Sequence, residues 1–188
     1  MPRPQRHRQL LDVAWRLLGT EGSDALSLGR LAEAAGVTKP VAYDHFVTRE
    51  GLLAALYADY DDRQTQLFEA RIDASQTGLH ERAQAIAAGY IDCVLSQGSE
   101  IQRIVAALAG SPELLKVRRQ YQQRFLSRCH DWLLPYSGSI APRPAALWAI
   151  LGAADALSEA VVVAALDRTQ AVAELEQVIV QVAQRQPD

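Results

Sequence analysis

Apolar residues in this chain recur at three- and four-residue intervals almost throughout, and hardly anywhere at the two-residue interval of a half-buried strand. Gly and Pro cut that pattern into segments, so the chain can bury its apolar surface only as packed helices. The first helix is predicted over Pro4 to Leu18, with Leu10, Leu11, Ala14, Leu17 and Leu18 on one face. Ser27 is placed to cap a short second helix, Leu28 to Ala35, which Gly36 would end in a left-handed turn. Thr38 is placed to cap a third, with Pro40 in its first turn, where a missing N–H costs little. Thr48 then opens a long fourth helix with the stripe Leu53, Leu56, Tyr57, Tyr60, Leu67, Phe68 and Ile72. After the break Gln76-Thr77-Gly78, helices are predicted at 79–97, 99–109, 112–134, 143–166 and 169–185. The fold class is therefore all-α, with about nine helices.

Net charge is −3, which by itself argues against nucleic acid, but the charge is unevenly placed. Residues 1–16 hold Arg3, Arg6, Arg8 and Arg16 against Asp12 alone, whereas residues 51–188 carry 12 basic and 16 acidic side chains. Charges further apart than about 8–10 Å are screened at physiological salt, so an acidic body does not forbid a basic, DNA-facing head. Cys93 and Cys129 fit no metal or redox spacing and suit a reducing cytoplasm. No secretory leader pattern is read at the start. The segment Ala145–Leu166 is apolar and about as long as a membrane span. Asp155 and Glu159 near its middle oppose insertion, at about 2.5–3.5 kcal/mol for a central Asp. A helix covered by its own core and by a partner subunit is the expectation instead, with no membrane contact. No phosphate loop, nucleophile elbow or metal-ligand spacing is present, and His80 and His130 stand apart. No enzyme, metal or cofactor is expected.

Residues 27–53 carry the functional signal. Leu28, Leu31 and Ala32 give one short helix an inward face, Gly36 makes a corner, Val37 plugs it, and a second short helix follows. That is the physical definition of a helix-turn-helix. The second helix offers Thr38, Lys39, Pro40, Val41, Tyr43 and His45 near its N-terminal end, where free N–H groups and a partial positive charge suit a phosphate.

The run Ala32-x-x-x-Gly36-Val37-Thr38, Tyr43-x-His45-Phe46, Arg49-Glu50-x-Leu52 resembles the DNA-binding signature of the tetracycline-repressor (TetR) family of bacterial regulators. The resemblance covers roughly the first third of the chain. It implies a helix-turn-helix DNA-binding domain over 1–47 and a helical effector-binding and dimerisation domain over 48–188, joined at the start of the fourth helix. It implies that Thr38, Tyr43 and His45 hold backbone phosphates, that Lys39, Pro40 and Val41 face base edges, and that Ser27 and Arg49 add phosphate contacts. Phe46 corresponds to the family's core aromatic. Pro40 stands where the family often has Gly or Ala; lacking an N–H, it offers only an apolar surface, such as a thymine methyl would meet. Two bland alternatives stay open: a core role for Tyr43 and a structural one for His45. The first-helix arginines are either a solvated face or an arm that steers phosphates.

In the body, Val172, Leu175, Val178, Ile179 and Val182 form a stripe that one subunit is expected to leave partly bare. With Ala145–Leu166 it predicts a homodimer through the last two helices, as reading a palindromic double-stranded operator requires. The resemblance also implies a pocket for a small-molecule effector, for which Ile104, Leu108, Tyr121, Phe125, Trp132 and Trp148 are candidate walls. Asp155 is either its polar anchor or a bundle-interface carboxylate. The function expected is a cytoplasmic, ligand-responsive regulator, a repressor released by its effector. The alternative is a helical dimeric module that binds a small molecule or a protein and no operator.

Overall fold

The computed structural model describes residues 1–74, 78–96, 98–138 and 141–185. Gln76 and Thr77 of the expected break, Ser139 of the later loop and the last three residues lie outside them. The described residues form helices α1 (Arg3–Glu21), α2 (Leu28–Ala34), α3 (Lys39–Phe46), α4 (Arg49–Asp73), α5 (Leu79–Leu95), α6 (Ser99–Ala107), α7 (Pro112–Leu133), α8 (Pro144–Val162) and α9 (Arg168–Gln184), with one 3-10 turn at Leu134–Tyr136 and no strand. The all-α reading holds, and most boundaries fall within two residues of expectation.

Capping chemistry accounts for the short elements. Ser27 accepts the Arg30 N–H at 3.2 Å. Gly36, at φ 63°, closes α2, and the Val37 N–H reaches back to the Ala32 carbonyl at 3.0 Å. This six-to-one bond is the Schellman arrangement, and it fixes the angle at which α3 departs. The Thr48 hydroxyl accepts the Gly51 N–H at 3.0 Å and starts α4. Gly51 is required there, since a Cβ would overlap the Phe46 carbonyl oxygen. In α9, Asp167 and Gln170 form a reciprocal capping box.

The chain packs as two compact units, Met1–Asp62 with Gln97–Arg119 and Arg63–Ser96 with Gln120–Asp188. Compactness thus groups residues differently from the 1–47 and 48–188 division expected from the sequence. In the first unit Leu10, Ala14 and Leu17 of α1 meet Leu31, Ala42, Phe46, Leu52 and Leu56, and Ile101, Ile104, Leu108 and Leu114 join the same core. Asp59 of α4 accepts the Trp15 indole N–H at 2.6 Å and an ion pair from Arg8, which also pairs with Asp12. The N-terminal half of α1 is fastened to α3: Arg3 donates to the Asp44 carbonyl and pairs with its carboxylate, both at 3.2 Å. The His7 ring lies 5.1 Å from Phe46 and 5.5 Å from His45.

In the second unit α9 packs on α5 and α8, and α5 on α8. Val172, Leu175, Ile179 and Val182 are buried there, among Ile86, Ile91, Ile150 and Leu151. Val178 packs partly buried against the same core. This corrects the expectation that a lone subunit leaves that stripe bare: two neighbouring helices of the same chain already cover it. The bare apolar stripe lies instead on α8, where Ala145, Trp148, Ala149, Gly152, Ala156 and Val162 are exposed. Among the described residues α8 alone is long and apolar enough to cross a membrane, and a third of its apolar window is buried within this unit. It stops at Val162, short of the expected 166, because Ala164 takes the left-handed conformation (φ 57°) and the Ala165 N–H returns to the Ala160 carbonyl at 2.8 Å.

Val47 links α3 to α4 at φ 61°, with the Thr48 N–H bonded back to the Phe46 carbonyl at 2.6 Å. A β-branched residue there is strained by about 1–3 kcal/mol, and Val47 is 72% exposed, so it contributes little packing. Val47→Gly removes the strain against about 0.5–1 kcal/mol of added chain entropy; a net gain of about 1 kcal/mol in urea unfolding is expected, and a loss would show that the turn is unstrained.

The His7 ring is held below its ordinary value near 6.5, first by burial and then by His45, Arg8 and Arg3, with Asp59 opposing. The unfolded chain therefore binds this proton at a higher pH than the folded one. His7's contribution is complete above pH 6.5 and is lost as pH falls through 6.5 towards the folded value. Between pH 7.5 and 5.5 the native protein should lose more stability than His7→Phe, measured by denaturant midpoints; parallel losses would exclude His7.

Candidate nucleic-acid interface and ligand cavity

α3 buries only Ala42 and Phe46. Everything else on it is turned outward or to the flank. Thr38, Lys39 and Pro40 are exposed, Tyr43 is 51% exposed, and Val41 and His45 are half-buried. Thr38 occupies the N-cap position, yet its hydroxyl makes no cap bond, the Val41 N–H bonding to the Thr38 carbonyl at 3.0 Å. Its side chain is thereby left to an outside partner. The Lys39 chain runs over Gly29 of α2, near the exposed Ser27. So α2 and α3 bring Ser27 and Lys39 together, Thr38 at the N-cap of α3 and Tyr43 on it stand exposed, and the exposure of Tyr43 removes the core alternative for it.

His45 and Arg49 differ from the rest. His45 stands beside His7 and Phe46, which orients its ring. Arg49 donates Nε to the Leu26 carbonyl at 3.0 Å and Nη2 to the Ser23 carbonyl at 2.7 Å. Its guanidinium secures the loop before α2, leaving Nη1 as the nitrogen that can face outward. One feature escaped the sequence reading. Asp44 is an exposed acid on α3, and Arg3 pairs with it. The signal was present in the basic start of α1, but no local pattern pairs residues 41 positions apart.

The candidate ligand-pocket residues separate into groups. Tyr121, Phe125 and Trp132 of α7 come together with Phe68 and Tyr90, ring centroids lying 4.9–6.4 Å apart. Ile104 and Leu108 belong to the other core, with Leu52 and Leu56. Trp148 is 51% exposed on α8. The Tyr90 hydroxyl, pushed well above the usual phenol range by burial, donates to Asp155 at 2.6 Å. Asp155 is exposed on α8 yet is thereby tied to the aromatic group. Beside that group Glu69 accepts Arg128 Nε at 2.9 Å and Nη2 at 2.8 Å, with Arg124 Nε at 3.5 Å. The Arg128 guanidinium holds the Glu69 carboxyl below the usual carboxylate range.

Comparison with known proteins bears on this geometry. Residues 10–56 match the family described as bacterial regulatory proteins, tetR family. The HTH-type transcriptional repressor ComR of Escherichia coli is 31% identical over 87 residues, which cover 46% of this chain and 41% of ComR. The chain thus matches about two fifths of that relative's length. The fatty acid degradation regulator FadR from Bacillus halodurans is 18% identical with TM-score 0.64, over 96% of this chain and 97% of FadR. The multidrug binding protein EbrR, solved with imidazole, is 17% identical with TM-score 0.67, over 95% of this chain and 96% of EbrR. Residues 10–56 are thus similar to the DNA-binding segment of the tetR family, and the described chain shares the fold of these solved regulators.

Proposed function

We propose that the chain is a ligand-responsive transcriptional regulator that binds a palindromic operator as a homodimer and, as a repressor, leaves it when a small molecule occupies the body. The observation that carries the reading is the outward face of α3. A Gly36 corner presents Thr38, Lys39, Pro40 and Tyr43 while only Ala42 and Phe46 pack inward. Thr38, Tyr43, His45, Ser27 and the remaining Arg49 nitrogen hold phosphates, which position the head. Lys39, Pro40 and Val41 read base edges. ComR, described as a repressor, favours repression.

One such helix reads few base pairs, so a two-fold partner about one helical turn of DNA away is required. The exposed α8 stripe supplies the contact: Ala149, Gly152 and Ala156 are small enough for a second α8 to approach closely, and Trp148 supplies area. α9 adds its outward Ala173 and Gln177. The effector site is the aromatic group of Phe68, Tyr90, Tyr121, Phe125 and Trp132; EbrR, described as multidrug binding, shares the fold that would hold it. Ligand release of DNA then measures the ligand's different affinity for two arrangements of the dimer, typically about 1–3 kcal/mol.

Selection of bound duplexes from a random pool should return an inverted repeat, with binding that falls steeply as salt rises. Against that operator, Tyr43→Phe should lose about 0.5–1.5 kcal/mol equally across sequence variants; an unchanged affinity would remove Tyr43 from the interface.

Gly152→Arg tests the dimer. A Cβ at Gly152 meets nothing within 4 Å in the single chain, so the fold tolerates the substitution. The variant should sediment as a helical monomer and lose operator binding; a stable dimer would move the contact away from α8.

A further inference from the structure

We propose that the effector is a small, flat aromatic carboxylate, whose ring takes the place now held by Phe68 and whose acid group rides on Arg128 and Arg124. The inference rests on the ligand-responsive reading and names the chemistry of that site. Between α4 and α7 lies a cavity of only about 10 Å³, walled by Phe68, Tyr121, Phe125 and Trp132. Across Phe68, between α4 and α5, is an open groove of about 440 Å³ with Gly89 in its wall. Leu67, 60% exposed, and Leu95 form an apolar edge to it. Phe68 lines both spaces.

The Phe68 ring occupies room that only a glycine leaves, since a Cβ at Gly89 would overlap it. Its neighbours are rings: Phe125, stacked at 6.3 Å, and Trp132, edge-on at 5.6 Å. Packing alone, with no hydrogen bond or charge, holds the Phe68 ring between groove and cavity, and its displacement would join them. What enters in its place meets the same ring faces, and a flat ring reproduces their offset and edge-on contacts at 4.5–7 Å.

The charge of the ligand follows from the mouth of the cavity. Two guanidiniums converge on the single carboxylate of Glu69. Among the described residues Arg128 Nη1 donates to no acceptor, its Nε and Nη2 being those that hold Glu69. Asp73 and Asp131 also act on Arg128, but both are exposed and screened by water, and Asp73 accepts the Trp132 indole at 3.2 Å. A second carboxylate adds to this cluster by charge-assisted bonds, whereas an organic cation would face both arginines.

The test compares 2-naphthoate with its uncharged twin 2-naphthamide, by calorimetry and Trp fluorescence, on the full-length protein. Naphthoate should bind about 10- to 100-fold more tightly, the range of a hydrogen bond to a charged group. Arg128→Gln should bring the two probes together, and Glu69→Gln, which keeps the shape while removing the competing acid, should widen their gap. Phe68→Ala should tighten both without changing their ratio. Equal binding of the two probes, a gap indifferent to both charge variants, or affinities unmoved by Phe68→Ala would each overturn the proposal. Operator binding by the same samples without probe separates the outcomes: a protein that grips its operator but ignores the acid group overturns the ligand class alone, and one that binds no duplex overturns the regulator reading.

Discussion

The corner at Gly36 is the constraint on which the molecule's use depends. The bond from the Val37 N–H to the Ala32 carbonyl requires the left-handed backbone that Gly36 supplies, and it sets the direction of α3 before any side chain packs. Of α3 only Ala42 and Phe46 are then buried, in a core shared with α1, α2 and α4. A helix held by its entry angle and two residues keeps the rest of its circumference for another molecule. Arg49, at the start of α4, fastens the loop before α2 through two carbonyls.

The head is more than three helices. α6 and the start of α7 contribute Ile101, Ile104, Leu108 and Leu114 to its core, and Asp59 of α4 gathers Arg8 and Trp15 of α1. α4 has residues in both compact units, Leu52 and Leu56 in one core and Phe68 and Ile72 in the other. Phe68 therefore sits on the helix that also begins three residues after the end of α3.

The sequence disclosed what is written in local chemistry. Caps, Gly36 and helical periodicity are contained within a few residues, so the first three helices and the outward set Thr38, Lys39, Pro40 and Tyr43 could be read directly. Facts that join distant positions were not legible. Arg3 on Asp44 and Tyr90 on Asp155 have no local signature. Ile104 and Leu108 look like pocket walls by composition, yet they fill the core of the head. The end of α8 was missed because Ala164 does what glycine ordinarily signals.

Periodicity also could not say which apolar stripe a lone subunit leaves bare. The stripe of α9 is the more regular, and its own neighbours α5 and α8 cover it. α8 is apolar around its whole circumference, as a membrane helix is, but the structure divides that circumference. Leu147, Ile150, Leu151 and Ala154 serve the core, and the remaining stripe of Ala149, Gly152 and Ala156 carries Asp155 and Glu159 among its small residues. Asp155 is tied within the chain to the Tyr90 hydroxyl, but lipid would offer the exposed Glu159 carboxylate no hydrogen-bond partner. A protein surface tolerates such a tied acid beside close-packed alanines and glycine. Covering by a second copy of the same helix therefore fits both the apolar and the acidic residues of α8, where a bilayer fits only the first.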